Sequence, residues 1–278
     1  MADSSSSSPS SATFVASEWI GCGRRFPSPA PYHLLVALRA VLKIPLIPSF
    51  DIPHSRVSVP ALIDLALPSL DSTKNGYPVF LADNPEVDEL SYEGLKVPAL
   101  SVITELSRGV KQAWLDGKRS FILRHISTKR LPFWLVNFWF HIHPAVHTAS
   151  VWRAALNWCN SLDHIVQLSV ENALISLGWK QSVRWAIGSG GTEMQNLACL
   201  LRADWINDSV VGSMLCVLQK QLERDSPTSR SRVLGIDFAR PLSATNAAFF
   251  NTYCKKRAPK QYEAGELLAS GACDSVFY

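Results

Sequence analysis

Three histidines, His141, His143 and His147, crowd into seven residues of this chain. On a helix, His143 and His147 stand one turn apart, a spacing that brings two imidazoles toward a single metal ion. Pro144 lies between them, however, and no cysteine or carboxylate is close in sequence. Structural zinc takes four ligands, so helix capping or hydrogen bonding within an aromatic wall accounts better for the cluster. No metal site and no cofactor are expected. A second candidate is Gly188-Ser-Gly-Gly191, which follows the alternating residues Val183, Trp185 and Ile187. A strand, a glycine loop and a helix can cradle phosphate on backbone amides. A phosphate loop needs Lys and then Ser or Thr after its last glycine, whereas Gly191 is followed by Thr192 and Glu193. The run therefore reads as a connector into a capping box, with Thr192 as N-cap and Gln195 three residues on.

The thiols offer less. Cys22, Cys159, Cys199, Cys216, Cys254 and Cys273 are far apart, without a Cys-x-x-Cys pair, so neither a zinc ribbon nor a disulfide framework is expected. Lys255 and Lys256 follow Cys254 and would lower a thiol pKa there, yet no histidine lies beyond His164 to act as base.

The elements that must position these groups follow from composition and period. With 278 residues, 47% hydrophobic and 18% charged, the chain can build a substantial core, and its nine tryptophans and twelve phenylalanines make that core aromatic. The net charge is only +4, but residues 51–107 carry a net of −6 and residues 108–130 a net of +6. The basic strip is read as a solvated face that pairs with the acidic stretch before it, and nucleic acid is not the expected partner. The Ser-rich start has no basic region and no apolar core, so no signal peptide is expected there. The longest apolar run, residues 131–140, is about half a membrane span. A soluble protein of nucleus or cytoplasm is expected.

Residues 1–23 read as a disordered start and residues 24–130 as an irregular and helical region of unknown role. Within the latter, residues 24–31 form a Pro-punctuated linker. A helix is expected over 32–42, with Leu34, Leu35, Leu38 and Leu42 on one face, before Pro45 and Pro48. Asn75-Gly76 reads as a turn, and residues 101–116 as an amphipathic helix closed by Gly117. Residues 131–203 read as an aromatic-rich helical core, since residues 131–201 hold six of the nine tryptophans and only six charged residues. There a long helix is expected over 145–167, with Ala149, Trp152, Leu156 and Cys159 on one face and Val151, Ala155, Trp158 and Leu162 on the next. A second is expected over 171–177, ended by Gly178, and then a strand at Val183, Trp185 and Ile187. The fold class is α+β, largely helical with a few short strands.

The sharpest signal begins at Leu197. A short helix ends near Arg202, Trp205 plugs a corner, and Asn207 or Asp208 caps a helix reaching about Arg224. Val211, Leu215, Leu218 and Leu222 are its expected buried face, and strands are expected over 233–238 and 274–278. This order, with Trp205-Ile206-Asn207-Asp208 at the head of the helix, resembles the opening of the ubiquitin-like-protein-specific (SUMO-specific) cysteine proteases. The resemblance covers about residues 195–278. It implies that residues 204–278 begin an incomplete papain-like cysteine protease domain. It also implies that Trp205 roofs the tunnel for the modifier's Gly-Gly tail and that Asp208 pairs with an arginine on the modifier. The expected partner is then a ubiquitin-like modifier or its conjugates.

The departure from that family is as informative. Its chemistry uses a His-Trp pair, an aspartate, and a glutamine ahead of an Asp-Cys-Gly nucleophile, because the thiolate needs a base and an oxyanion donor. None of these follows Trp205, and Cys273 lies in Gly-Ala-Cys-Asp. No catalytic residue is expected in this chain. The alternative is a non-catalytic protein-interaction module that uses the aromatic helices of 131–201.

Overall fold

A leucine face of helical period begins the ordered architecture. Helix α1 (Tyr32–Val41) buries Leu34 and Leu38, with Leu35 and Leu42 half-buried beside them. Its last turn is closed from outside by Asn137, whose side-chain Nδ2 donates to the Leu42 carbonyl at 3.0 Å. The computed structural model describes residues 18–73, 76–86, 92, 94–161, 164–183, 191–201, 206, 208–225, 231–233, 270 and 275–277. They show a mixed helix and sheet protein. It folds as two compact units, Met1–His54 with Asp64–Ser150, and Ser55–Ile63 with Val151–Tyr278.

After α1, Pro48 opens a single 3-10 turn, Pro48–Phe50, and a short helix α2 (Val59–Asp64) follows. Most of the first unit's core comes from the next elements. Strand β1 (Val79–Leu81), helix α3 (Leu100–Leu115), strand β2 (Ser120–Leu123) and strand β3 (Ser127–Pro132) follow in order. The strands form an antiparallel sheet in the order β1-β2-β3, with Phe80 opposite Phe121 and Phe121 opposite Leu131. Helix α3 buries Val102, Ile103, Leu106, Val110 and Ala113, the stripe its period requires. Gly117 ends it at φ +82°, and the Gly117 N–H donates to the Trp114 carbonyl while the Lys118 N–H donates to that of Ala113. Those two bonds make a Schellman motif, which favours glycine because a Cβ is strained at that φ.

Helix α4 (Trp134–Cys159) starts eleven residues earlier than its sequence suggests and runs through Pro144. Proline removes the bond to the Phe140 carbonyl, an interior cost of about 3 kcal/mol. Against it stand Leu135, Val136, Phe138, Trp139 and Ile142, all nearly fully buried, each contributing roughly 1.5–3 kcal/mol. Packing outweighs the local break. Phe121 stacks on Phe133 at 6.4 Å and meets Trp139 edge-on at 6.1 Å. The helix stops at Cys159 and does not continue to residue 167, since Asn160 and Ser161 are weak helix formers. Of its expected second face, Ala155 is buried but Trp158 is 43% exposed, and Leu162 lies outside the described residues.

In the second unit, helix α5 (His164–Ile175) begins seven residues before the expected start. Gly178 then bridges to Ser58, and the Trp179 N–H donates to the Val57 carbonyl at 2.8 Å. Strand β4 (Ser182–Val183) pairs antiparallel with β5 (Thr192–Glu193). Trp185, Ile187 and Gly188 to Gly190 lie outside the described residues, as do Asn75, Asn207 and residues 1–17. Helix α6 (Met194–Leu197) and a 3-10 turn (Ala198–Leu201) lead toward helix α7 (Asp208–Asp225). Strand β6 (Ser231–Val233) pairs in parallel with β7 (Ser275–Phe277), so each supplies the other's ladder. Among the described residues no helix is long and apolar enough to cross a membrane.

Candidate functional site

The site grows from helix α7. Its sequence carries two overlapping apolar stripes, one through Val211, Leu215, Leu218 and Leu222, the other through Val210, Met214 and Val217. Of the second stripe, Val210 is buried and Met214 and Val217 are exposed. Val210 is 1% and Ser213 is 5% exposed, whereas Leu218 is 54% exposed. Val211, Leu215 and Leu222 are half-buried, so the expected face is covered in part, and of its four residues Leu218 is the exposed one.

The first turns of α7 also carry a polar anchor. The hydroxyls of Ser213 and Thr192 meet at 2.6 Å, both buried, and a hydroxyl bond of this kind is formed only if Ser213 faces inward. Thr192 is therefore a strand residue, and not the N-cap of a capping box. Helix α6 has Glu193 at its N-cap, with no side-chain cap bond, and Gln195 Nε2 instead donates to Glu193 Oε2 at 2.7 Å. A second anchor lies nearby in the sequence, where buried Trp152 donates through Nε1 to the Met194 carbonyl at 3.1 Å.

A groove of about 260 Å³ lies between α7 and residues 197–200. Leu197, Leu200, Val210, Met214, Val217 and Leu218 wall it, and Ser213, engaged with Thr192, is the one polar residue among them. Met214, Val217 and Leu218 are 43%, 41% and 54% exposed. Of these, Val210, Met214 and Val217 had no role in the sequence reading. Their spacing of four and then three residues was the signal that could have found them.

Asp208 occupies the first turn of α7 and is exposed, where the helix dipole favours a carboxylate. At 100° per residue it sits about a third of a turn round the helix from Met214 and half a turn from Val217, so the groove and this carboxylate face different ways. Ile206 is 41% exposed. Trp205, and with it the expected tunnel roof, lies outside the described residues, as do Cys254 and Cys273.

The other candidates are placed as follows. His143 and His147 lie on α4 with their rings stacked, 5.9 Å between centroids and 13° between planes. Burial, and then the neighbouring His147, hold the His143 pKa below its ordinary value of 6.5. Among the described residues no group of three or more His, Cys, Asp or Glu could hold a metal ion. The Cys199 thiol donates to the Asn196 carbonyl at 2.8 Å, and Cys22 donates to the Glu18 carbonyl at 3.1 Å. The basic strip meets its acidic neighbour through the sheet. Arg130 lies 3.6 Å from Glu86 and donates to the Asn84 carbonyl, Arg119 reaches Asn84, and His125 lies 3.6 Å from Asp71. No protein-family model matches this chain, and no curated protein or solved structure matches it either.

Proposed function

We propose that this chain is a non-catalytic protein-interaction module that receives the apolar side chains of a partner in the α7 groove. The observation that carries the reading is the groove's composition. About 260 Å³ walled by aliphatic side chains is below the ~300 Å³ at which small-molecule sites begin, and it suits a few side chains of a protein partner. Met214, Val217 and Leu218 present an i, i+3, i+4 edge, the surface to which an amphipathic helix lays its apolar face. Selection from a random-peptide display library on the immobilised protein tests this. Recovered peptides should share large aliphatic residues at helical spacing and lose binding to Met214→Asp. Failure to enrich any such pattern, or retention on Met214→Asp, overturns the reading.

The exposed carboxylate of Asp208 in the first turn of α7 favours a second reading. In it the partner is a ubiquitin-like modifier, and the chain is part of a papain-like modifier-specific cysteine protease, a hydrolase by family. Asp208 then meets an arginine of the modifier, with Trp205 beside its Gly-Gly tail. No histidine follows His164, so this chain does not cleave the modifier itself. Titration of SUMO and of ubiquitin should give binding that Asp208→Lys abolishes, without covalent capture of a modifier carrying a C-terminal electrophile. Binding unchanged by Asp208→Lys removes this second reading and leaves the groove reading untouched.

A further inference from the structure

The first unit contains a larger cavity, and we infer that it is a binding site for a small primary amine carried on a flat apolar body. The cavity measures about 620 Å³, within the size range of small-molecule sites. Its floor is one face of α4, where Leu135, Phe138, Trp139 and Ile142 recur at i, i+3, i+4 and i+7. These side chains are between 1% and 5% exposed, so the floor is rigid and apolar. Phe50 locks it from the side, meeting Trp134 edge-on at 4.8 Å and Phe138 at 5.2 Å.

Two facts separate this cavity from a packing defect. Pro48, Pro53 and Pro68 are among its lining residues, and their rings fix φ at three points of the surrounding backbone, which restricts the ways it can close on the space. Leu65 and Leu67 stand at the rim, Leu65 43% exposed, which lines the opening with apolar surface at a place where solvent would favour polar residues. Room for a ring and an apolar entrance therefore coincide.

Charge decides the chemistry of the ligand. Among the described residues that line the cavity, Asp51 is the one charged side chain, and it is exposed at the end of the 3-10 turn. A carboxylate at the mouth above an apolar floor complements a cation at the end of a ring system and repels an anion there. An ammonium group would meet Asp51 while the ring rests on the α4 floor. Aromatic walls add attraction for a cation that passes them.

Calorimetric titration of the full chain with tryptamine, tryptophol and indole-3-acetate reads this directly, since the three share a ring and differ in charge. Tryptamine should bind about fivefold more tightly than tryptophol, the range of an exposed ion pair, and indole-3-acetate more weakly than both. Asp51→Asn should bring tryptamine to the tryptophol value. Ala66→Trp, at an exposed position on the rim, should abolish binding of all three while thermal unfolding stays unchanged. Failure of all three to bind at millimolar concentration overturns the site. An amine preference that survives Asp51→Asn, or binding that survives Ala66→Trp, overturns it equally.

Discussion

The Cα of Gly178 stands so close to the backbone of Ser55 that a Cβ built on it would lie 2.7 Å from the Ser55 carbonyl oxygen. Here the chain needs glycine for proximity. Residues 55–58 and 178–179 run side by side, held by the Ser58 to Gly178 bridge. Because the obstacle is backbone, it cannot swing away as a side chain would. Gly178→Ala should lower stability by about 1–3 kcal/mol, the range for forced overpacking, read by urea denaturation. A variant as stable as the parent would show that this approach is not a constraint.

The Thr192 to Ser213 hydroxyl pair ties the start of α7 to strand β5. A double-mutant cycle through Thr192→Val and Ser213→Ala should give a coupling of about 1 kcal/mol, as for neighbours sharing one buried bond. Ser213→Ala should also raise the hydrogen-exchange rate of the first turns of α7. Additive effects of the two changes would show that the hydroxyls act independently.

His143 supplies a pH dependence whose sign follows from its burial. Its folded-state pKa lies below the ordinary value of 6.5, so the unfolded chain binds the proton more readily than the folded one. This contribution is complete above pH 6.5 and is lost as pH falls through that value toward the folded pKa. The loss of stability between pH 7.5 and pH 5.5 should be smaller in His143→Gln than in the parent. An equal loss in both would remove His143 as a source of acid sensitivity.

How much of this could be read from the chain depends on whether the deciding contact was local. Leu34 and Leu38 repeat at helical spacing, and Gly117 follows the α3 stripe, so those elements could be read before any tertiary contact was known. Pro144 could not be read correctly. Its local effect is to break a helix, and only the burial of Leu135, Trp139 and Ile142 on the same helix outweighs it. Thr192 carried the same difficulty. It fits a capping box with Gln195, but its partner is Ser213, twenty-one residues away. For the candidate site, helical period located an apolar stripe on α7 without saying which part of it is covered. Leu218 shares the period of Val211, Leu215 and Leu222 but is open while they are half-buried, because period alone does not say how far a neighbour covers a stripe. The charge blocks of 51–107 and 108–130 were readable, and the sheet brings Glu86 to Arg130.

The claim that α7 carries the partner-binding groove is tested most directly by calorimetry with a display-selected helical peptide. The peptide would be titrated into the parent, into Met214→Asp/Leu218→Asp, and into Leu46→Asp, a control in the first unit that is 96% exposed. The replaced residues are 43% and 54% exposed, so circular dichroism should show the fold intact. The double variant should bind at least about thirtyfold more weakly, the loss expected when central apolar contacts of an interface are replaced by charge. The control should bind within about twofold of the parent, as expected for a surface change at a residue that does not line the groove. A double variant that binds as tightly as the parent would contradict the account, because the groove would then play no part in recognition.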